Sequence, residues 1–250
     1  MRSDLQRTAT HGEAPFTVHL RLDQADAIYE VPERRAESLD LYAKVVEDFP
    51  NHELAPQALY GAAFTALKLS RYEEALQSAE RFLKTYATSD FRADVEYVAA
   101  ECNLQLRNYD AALAQYRELI SENPKHPDAG TWRLRLGLIT YLKKDYHGAI
   151  TVLAPIAADL KSAEARAEAF FLVGASQFHA NRVADAKKSL LESVQASPHW
   201  RQADETLLLL ARAEAKAGQT KPALSHALGP WSLSQGALRD PGLWDVTPSA

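Results

Sequence analysis

The 250-residue chain has a single cysteine, Cys102, which rules out an internal disulfide and any multi-cysteine metal site. Ten glycines leave little material for a glycine-rich phosphate loop or a nucleophile elbow, and neither motif occurs. Long apolar runs are missing too. The best, "TLLLLA" at 206–211, falls far short of the roughly 18 to 20 residues that a membrane-spanning helix requires. There is no surplus of positive charge: 28 Lys and Arg face 33 Asp and Glu, for a net charge of −5, and no basic cluster stands out. Nucleic-acid affinity comes largely from clustered cations that neutralise phosphates, so a nucleic-acid partner is not expected. The eight histidines never fall at the i, i+4 spacing that would pair two ligands on one helical face. The reading is therefore a non-enzyme with no cofactor and no metal. The N-terminal "MRSDLQRTATHGEAPF" has two arginines but lacks the apolar stretch of about 7 to 15 residues that completes a signal peptide. A cytoplasmic location is expected on that ground, or a periplasmic or envelope one for a chain whose N-terminus is incomplete.

What the sequence does contain is a repeat. With 46% apolar residues it can bury a substantial core, and those residues recur every 37 positions. Ser38, Ala75, Ala112, Ala149, Ala186 and Ala223 form one series of small residues without insertion or deletion. Leu39, Leu76, Leu113, Ile150, Lys187 and Leu224 follow one position on, Tyr72, Tyr109, Tyr146 and then Val183 precede by three, and Pro50, Ala87, Pro124, Lys161 and Pro198 lie twelve beyond. A second small series comprises Ala63, Ala100, Gly137, Gly174 and Ala211. Each unit holds two stretches with apolar residues three and four apart, such as "DVEYVAAECNLQLR" and "YDAALAQYRELISE", which predicts two helices. The dipeptides "SR", "RN", "KD", "NR" and "GQ" between them allow only a tight reversal, so each unit is an antiparallel helix pair. Small residues permit close helix crossing, and the prolines end the second helix.

These residues resemble the tetratricopeptide repeats, whose pattern places Gly or Ala midway in the first helix, Tyr before the second, Ala-Leu inside it and Pro at its end; "NYDAALAQYRELISENP" (108–124) carries it well. The resemblance covers about 33–228, and the 37-residue period is similar to that of repeats in bacterial cell-envelope assembly and division-coordinating proteins. It implies an all-α chain, a right-handed α-solenoid of about six helix pairs over 22–228. An N-terminal segment, 1–21, is expected to be extended or disordered, because "FTVHLRL" alternates apolar and polar residues with the period of a strand. A tail from Gly229 to 250, rich in Gly, Pro and Ser and carrying Trp231 and Trp244, is expected to be irregular and packed over the last helices.

In such repeats the first helices line a concave groove. The groove offsets five, nine and twelve hold Tyr60, Phe64 and Leu67; Tyr97, Glu101 and Leu104; Leu134, Leu138 and Tyr141; and Phe171 and Phe178. The expected function is that of a non-catalytic scaffold that binds a peptide or partner protein there. The alternative is a structural or assembly module of a larger complex, such as one at a bacterial cell envelope, using the outer surface or the ends. Family members that clamp a C-terminal carboxylate use Lys and Asn at groove offsets, whereas offset five here is Tyr60, Tyr97, Leu134 and Phe171, so no such clamp is expected. His52 and His126 fall in equivalent inter-repeat loops and Cys102 at a packed helix offset, and all three are read as structural.

Overall fold

A computed structural model describes residues 3–233, with side chains from 16 to 227 except Leu224. Twelve α-helices and two short 3-10 turns account for its regular structure, and no strand occurs among the described residues. By compactness the chain divides into two units, Met1–Lys143 and Lys144–Ala250. The first holds α1 (Ser3–Tyr29), α2 (Arg35–Asp48), α3 (Ala55–Lys68), α4 (Tyr72–Thr85), α5 (Arg92–Gln105), α6 (Tyr109–Glu122) and α7 (Ala129–Leu142). The second holds α8 (Tyr146–Leu153), α9 (Ala163–His179), α10 (Val183–Ala196), α11 (Ala203–Lys216) and α12 (Thr220–Leu233). Within each unit every helix packs on the next in sequence, and in addition α3 reaches α5 and α9 reaches α11. This nearest-neighbour pattern is that of an α-solenoid.

The 37-residue register has a direct structural meaning. Second helices bury one stripe: Ala75, Ala79 and Phe82 in α4, Ala112, Tyr116 and Leu119 in α6, Ala186, Leu190 and Ser193 in α10. These are i, i+4 and i+7, one face of a helix whose other side meets water. First helices sit between neighbours and bury far more, including every residue from Val98 to Leu104 in α5 and from Phe171 to Gln177 in α9. Small residues matter where the backbones cross. A Cβ at Gly174 would lie 2.7 Å from Cγ of Leu190 in α10, and one at Gly61 would lie 2.8 Å from Cε1 of Tyr42 in α2.

Beyond the α1–α2 connection, the reversals within each unit turn on one left-handed residue, Ser70, Arg107, Asn181 and Gly218, and Lys144 shares that conformation, so that residues with φ between 59° and 75° recur every 37 positions. The next residue's N–H then reaches back five positions, as from Arg71 to the Ala66 carbonyl at 2.9 Å and from Asn108 to Asn103 at 2.8 Å, satisfying carbonyls the helix end leaves open. The inter-repeat loops are also built alike. Nδ1 of His52 accepts from the Leu54 amide at 3.1 Å, Oγ of Ser89 from Phe91 at 3.3 Å, and Nδ1 of His126 from Asp128 at 3.2 Å. All three hold the chain just ahead of the next helix.

Three local expectations change. "FTVHLRL" lies within α1 and is helical rather than extended, so the solenoid expected to begin at 22 starts inside that longer helix. Val18, Leu22 and Ala25 are buried, while Phe16 and Leu20 are 74% and 58% exposed. Alternation counts Phe16, Val18, Leu20 and Leu22 as one face, but helical winding of about 100° per residue sends 16 and 20 one way and 18 and 22 the other. Helix α8 has only eight residues and is followed by a 3-10 turn at Ala157–Asp159, because Pro155 supplies no amide to continue the i to i−4 ladder. Helix α12 continues past Gly229 to Leu233, so the irregular tail expected from Gly229 is helical in its first residues. The side chain of Trp231, and Trp244 with the rest of the tail, lie outside the described residues.

Candidate functional site

Taking His19, Pro56, Ala93 and Gly130 as the first positions of the four leading helices in unit one, offsets 4, 7 and 8 point into the pair. Leu22 and Leu59, then Ala25, Ala62, Ala99 and Leu136, then Ala63 and Ala100, are all buried there. Winding places offsets 2, 5, 9, 12 and 13 on the opposite side, within an arc of about 100°. This is the face a groove ligand would meet.

Its composition is apolar and aromatic. Among the described residues four large hydrophobic side chains are exposed: Phe16, Leu20, Val31 and Leu142. Leu20 and Leu142 occupy offsets 2 and 13, Phe16 is one turn before Leu20 on the same side, and Val31 follows the end of α1. Between them Tyr60, Phe64, Leu67, Tyr97, Leu138 and Tyr141 are half-buried. The rings are in contact: Tyr60 stacks on Phe91 with centroids 5.3 Å apart, Phe64 lies 5.8 Å from Tyr60 and 6.3 Å from Tyr29, and Lys68 places its ammonium 4.9 Å above Phe64. Burial, with help from Asp94, pushes the Tyr60 hydroxyl up to about 12, so it stays protonated as a donor at neutral pH. A depression of about 580 Å³ in this unit lies among loop residues including Glu53, Thr88, Ser89 and Asp90.

Other sequence-derived candidates have packing roles. Leu104 and Leu134 are buried at 6% and 2% exposure and support the helices beside them. Glu101 is 8% exposed. Its carboxylate accepts from the Tyr116 hydroxyl at 2.7 Å and from Nε2 of Gln105 at 2.8 Å, and Nε of Arg135 stands 3.5 Å away. One carboxylate thus ties α5 to α6 and α7, and burial together with its charge holds the Tyr116 hydroxyl well above the usual phenol range. In unit two Phe171 is buried against Trp200, and Phe178 is half-buried with the Lys216 ammonium 5.3 Å from its ring centroid. Among the described residues, the exposed large hydrophobic side chains all lie in unit one.

Sequence reasoning misses the α1 contribution, since alternation puts Phe16 and Leu20 on a strand, and it misses Asp94. Asp94 sits at offset 2 of α5, half-buried, and burial raises its carboxyl above the usual range, with Asp128 adding to the rise and His126 opposing it. The repeat register itself would have placed Asp94 on this face. Cys102 is fully buried and its thiol is pushed up to about 12, first by burial and then by Glu101 and Glu73, which fits a structural thiol. No group of three or more His, Cys, Asp or Glu residues able to hold a metal occurs among the described residues. None of the described helices is long and apolar enough to cross a membrane.

Comparison with known proteins agrees with this architecture. Tetratricopeptide-repeat profiles match residues 57–89 and 97–159. Comparison with curated protein sequences gives no match. Among solved structures, a tetratricopeptide repeat protein from Parabacteroides merdae is 14% identical with a TM-score of 0.68, over 88% of this chain and 80% of that one. PilW, a type IV pilus biogenesis factor, is 15% identical with a TM-score of 0.66, over 88% and 96%. MamA from Desulfovibrio magneticus, residues 41 to its end, is 17% identical with a TM-score of 0.60, over 72% and 97%. At such identities the likeness is one of fold.

Proposed function

We propose that this chain, which carries tetratricopeptide repeats, is a non-catalytic interaction module that binds a peptide or partner-protein segment across the first-helix face of unit one. The observation that carries the reading is where the apolar exposure falls. Large hydrophobic side chains left in water are unfavourable unless a partner covers them, and those of the described residues lie on or beside the face formed by Tyr60, Phe64, Tyr97, Leu138 and Tyr141. An aromatic stripe of this kind suits apolar anchors of an amphipathic segment, with the rings supplying contact area at low entropic cost. Leu104, Leu134 and Glu101 act in this account as supports that hold the face in shape.

The alternative assembly role draws on one observation, the exposure of Phe16 and Leu20 on the leading helix of unit one. The similarity in fold to PilW, a type IV pilus biogenesis factor, is compatible with an envelope setting for either role.

The test pairs capture with stability. Phe64→Ala with Tyr141→Ala, both at half-buried positions, should reduce partner capture from extract by at least tenfold while thermal unfolding shifts by only a few degrees. Unchanged capture at unchanged stability would move the binding surface elsewhere. A collapse of the melting temperature would make both residues part of the core.

A further inference from the structure

The face described above is not uniformly apolar. Its groove-facing offsets carry Asp23, Glu30, Asp94 and Glu101 against Lys68, and Arg135 stands at the adjoining offset 6, so that negative charge is in excess even with Arg135 counted. The cations in the neighbourhood are engaged: Arg135 stands at Glu101, Lys68 lies on the Phe64 ring, and Arg92 pairs with Glu96 at 2.7 Å. Asp94 differs. Among the described residues no hydrogen bond or ion pair holds its carboxylate, although it is half-buried. Three residues along the same helix face stands Tyr97, and across from it on α3 stands Tyr60, whose hydroxyl feels the Asp94 charge and whose ring is held by Phe91 and Phe64.

Resting on the groove reading above, we propose that the bound segment presents an arginine or lysine side chain that docks on Asp94 beside the rings of Tyr60 and Tyr97. The chemistry is that of a cation between a carboxylate and aromatic faces. A guanidinium can pair with the carboxylate and lay its plane on a tyrosine, and both contacts strengthen in a partly desolvated corner. Charge complementarity selects this occupant. An acidic segment would meet Asp94 with Asp128 nearby, and a wholly apolar one would cover a charged carboxylate that has only His126 and the first turn of α5 to offset it. Burial already lifts the Asp94 carboxyl above its usual range, and an incoming cation lowers it again. Binding therefore favours the deprotonated form, and affinity for a basic segment falls as pH drops through the raised Asp94 range.

The experiment selects phage-displayed random 16-residue peptides on the full chain and, in parallel, on Asp94→Asn. Enriched peptides from the unaltered chain should carry Arg or Lys at a fixed spacing from apolar residues. Replacing that residue by Gln in a synthesised peptide should weaken binding roughly tenfold, and by less than twofold on Asp94→Asn. Asp94→Glu should restore part of the preference. Enriched peptides without a basic residue, or a basic preference that persists on Asp94→Asn, would overturn this proposal and leave the groove reading standing. Peptides whose binding is indifferent to Phe64→Ala, or no enrichment at all, would overturn both.

Discussion

Replacing Gly174 by alanine sets two effects of opposite sign against each other. Gly174 lies inside α9, where alanine is intrinsically the better helix former by about 1 kcal/mol. Propensity alone therefore predicts a more stable protein. The added Cβ, however, would lie 2.7 Å from Leu190 Cγ, 2.9 Å from its Cδ2 and 3.2 Å from its backbone nitrogen. Leu190 is fully buried, and the clash involves its branch point and main chain, so a rotamer change alone does not relieve it and α10 has to move. Overpacking of this sort costs about 1–3 kcal/mol, which outweighs the propensity gain and leaves a net loss of about 1 kcal/mol, up to ~2. Leu190→Ala alone should cost about 2–5 kcal/mol. In the double variant the methyl group added at position 174 enters space that the leucine side chain has vacated, so the combined loss should fall short of the sum by about 1 kcal/mol or more. Urea denaturation followed by circular dichroism measures all three. Ala111→Gly, on the exposed side of α6, calibrates the propensity term, and hydrogen exchange of the α9 and α10 amides localises the change. A stabilising Gly174→Ala, or strict additivity with Leu190→Ala, would refute the close-crossing explanation of the small-residue series.

Other consequences follow from the same register. Arg107→Gly should stabilise by up to about 1 kcal/mol, since Arg107 holds φ at 62° where glycine carries no Cβ penalty; a loss of stability in urea titration would contradict this. Tyr116→Phe removes one of the donors to buried Glu101 and should destabilise by about 1–3 kcal/mol, and a neutral result would show that Gln105 and Arg135 suffice. Cys102 should resist a thiol reagent at pH 8 in the native chain and react at once in urea, because burial both hides it and keeps it protonated; rapid native labelling would place it in an opening segment.

The helix pairs are legible in the sequence because a solenoid repeats its packing problem. Wherever α4, α6 and α10 meet their partners the same spacing recurs, so Ala75, Ala112 and Ala186 announce one geometry. The left-handed turn residues are hidden, since Ser70, Arg107 and Lys144 are not residue types that favour that conformation and only Gly218 and Asn181 hint at it. Helix α1 misleads because a helix with Phe16 and Leu20 outside and Val18 and Leu22 inside mimics the alternation of a strand. For the candidate site, the register puts Tyr60, Phe64 and Tyr97 on the first-helix face. It does not separate Tyr60 and Tyr97 from Leu134, or Leu67 and Tyr141 from Leu104, which share their offsets and are buried. That distinction depends on how deeply each helix is wedged between neighbours, a property of the stack rather than of any one repeat.

The central claim is that partners bind the first-helix face of unit one, and site-specific photocrosslinking tests it most directly. A photoreactive amino acid placed in turn at Phe64 and Leu138 on that face, and at Glu80 and Glu118 on the exposed sides of the second helices, reports what lies against each position when the chain meets its partners. The account predicts a shared adduct at positions 64 and 138, with little at 80 and 118. The same adduct at 80 or 118, with none at 64 and 138, would contradict it.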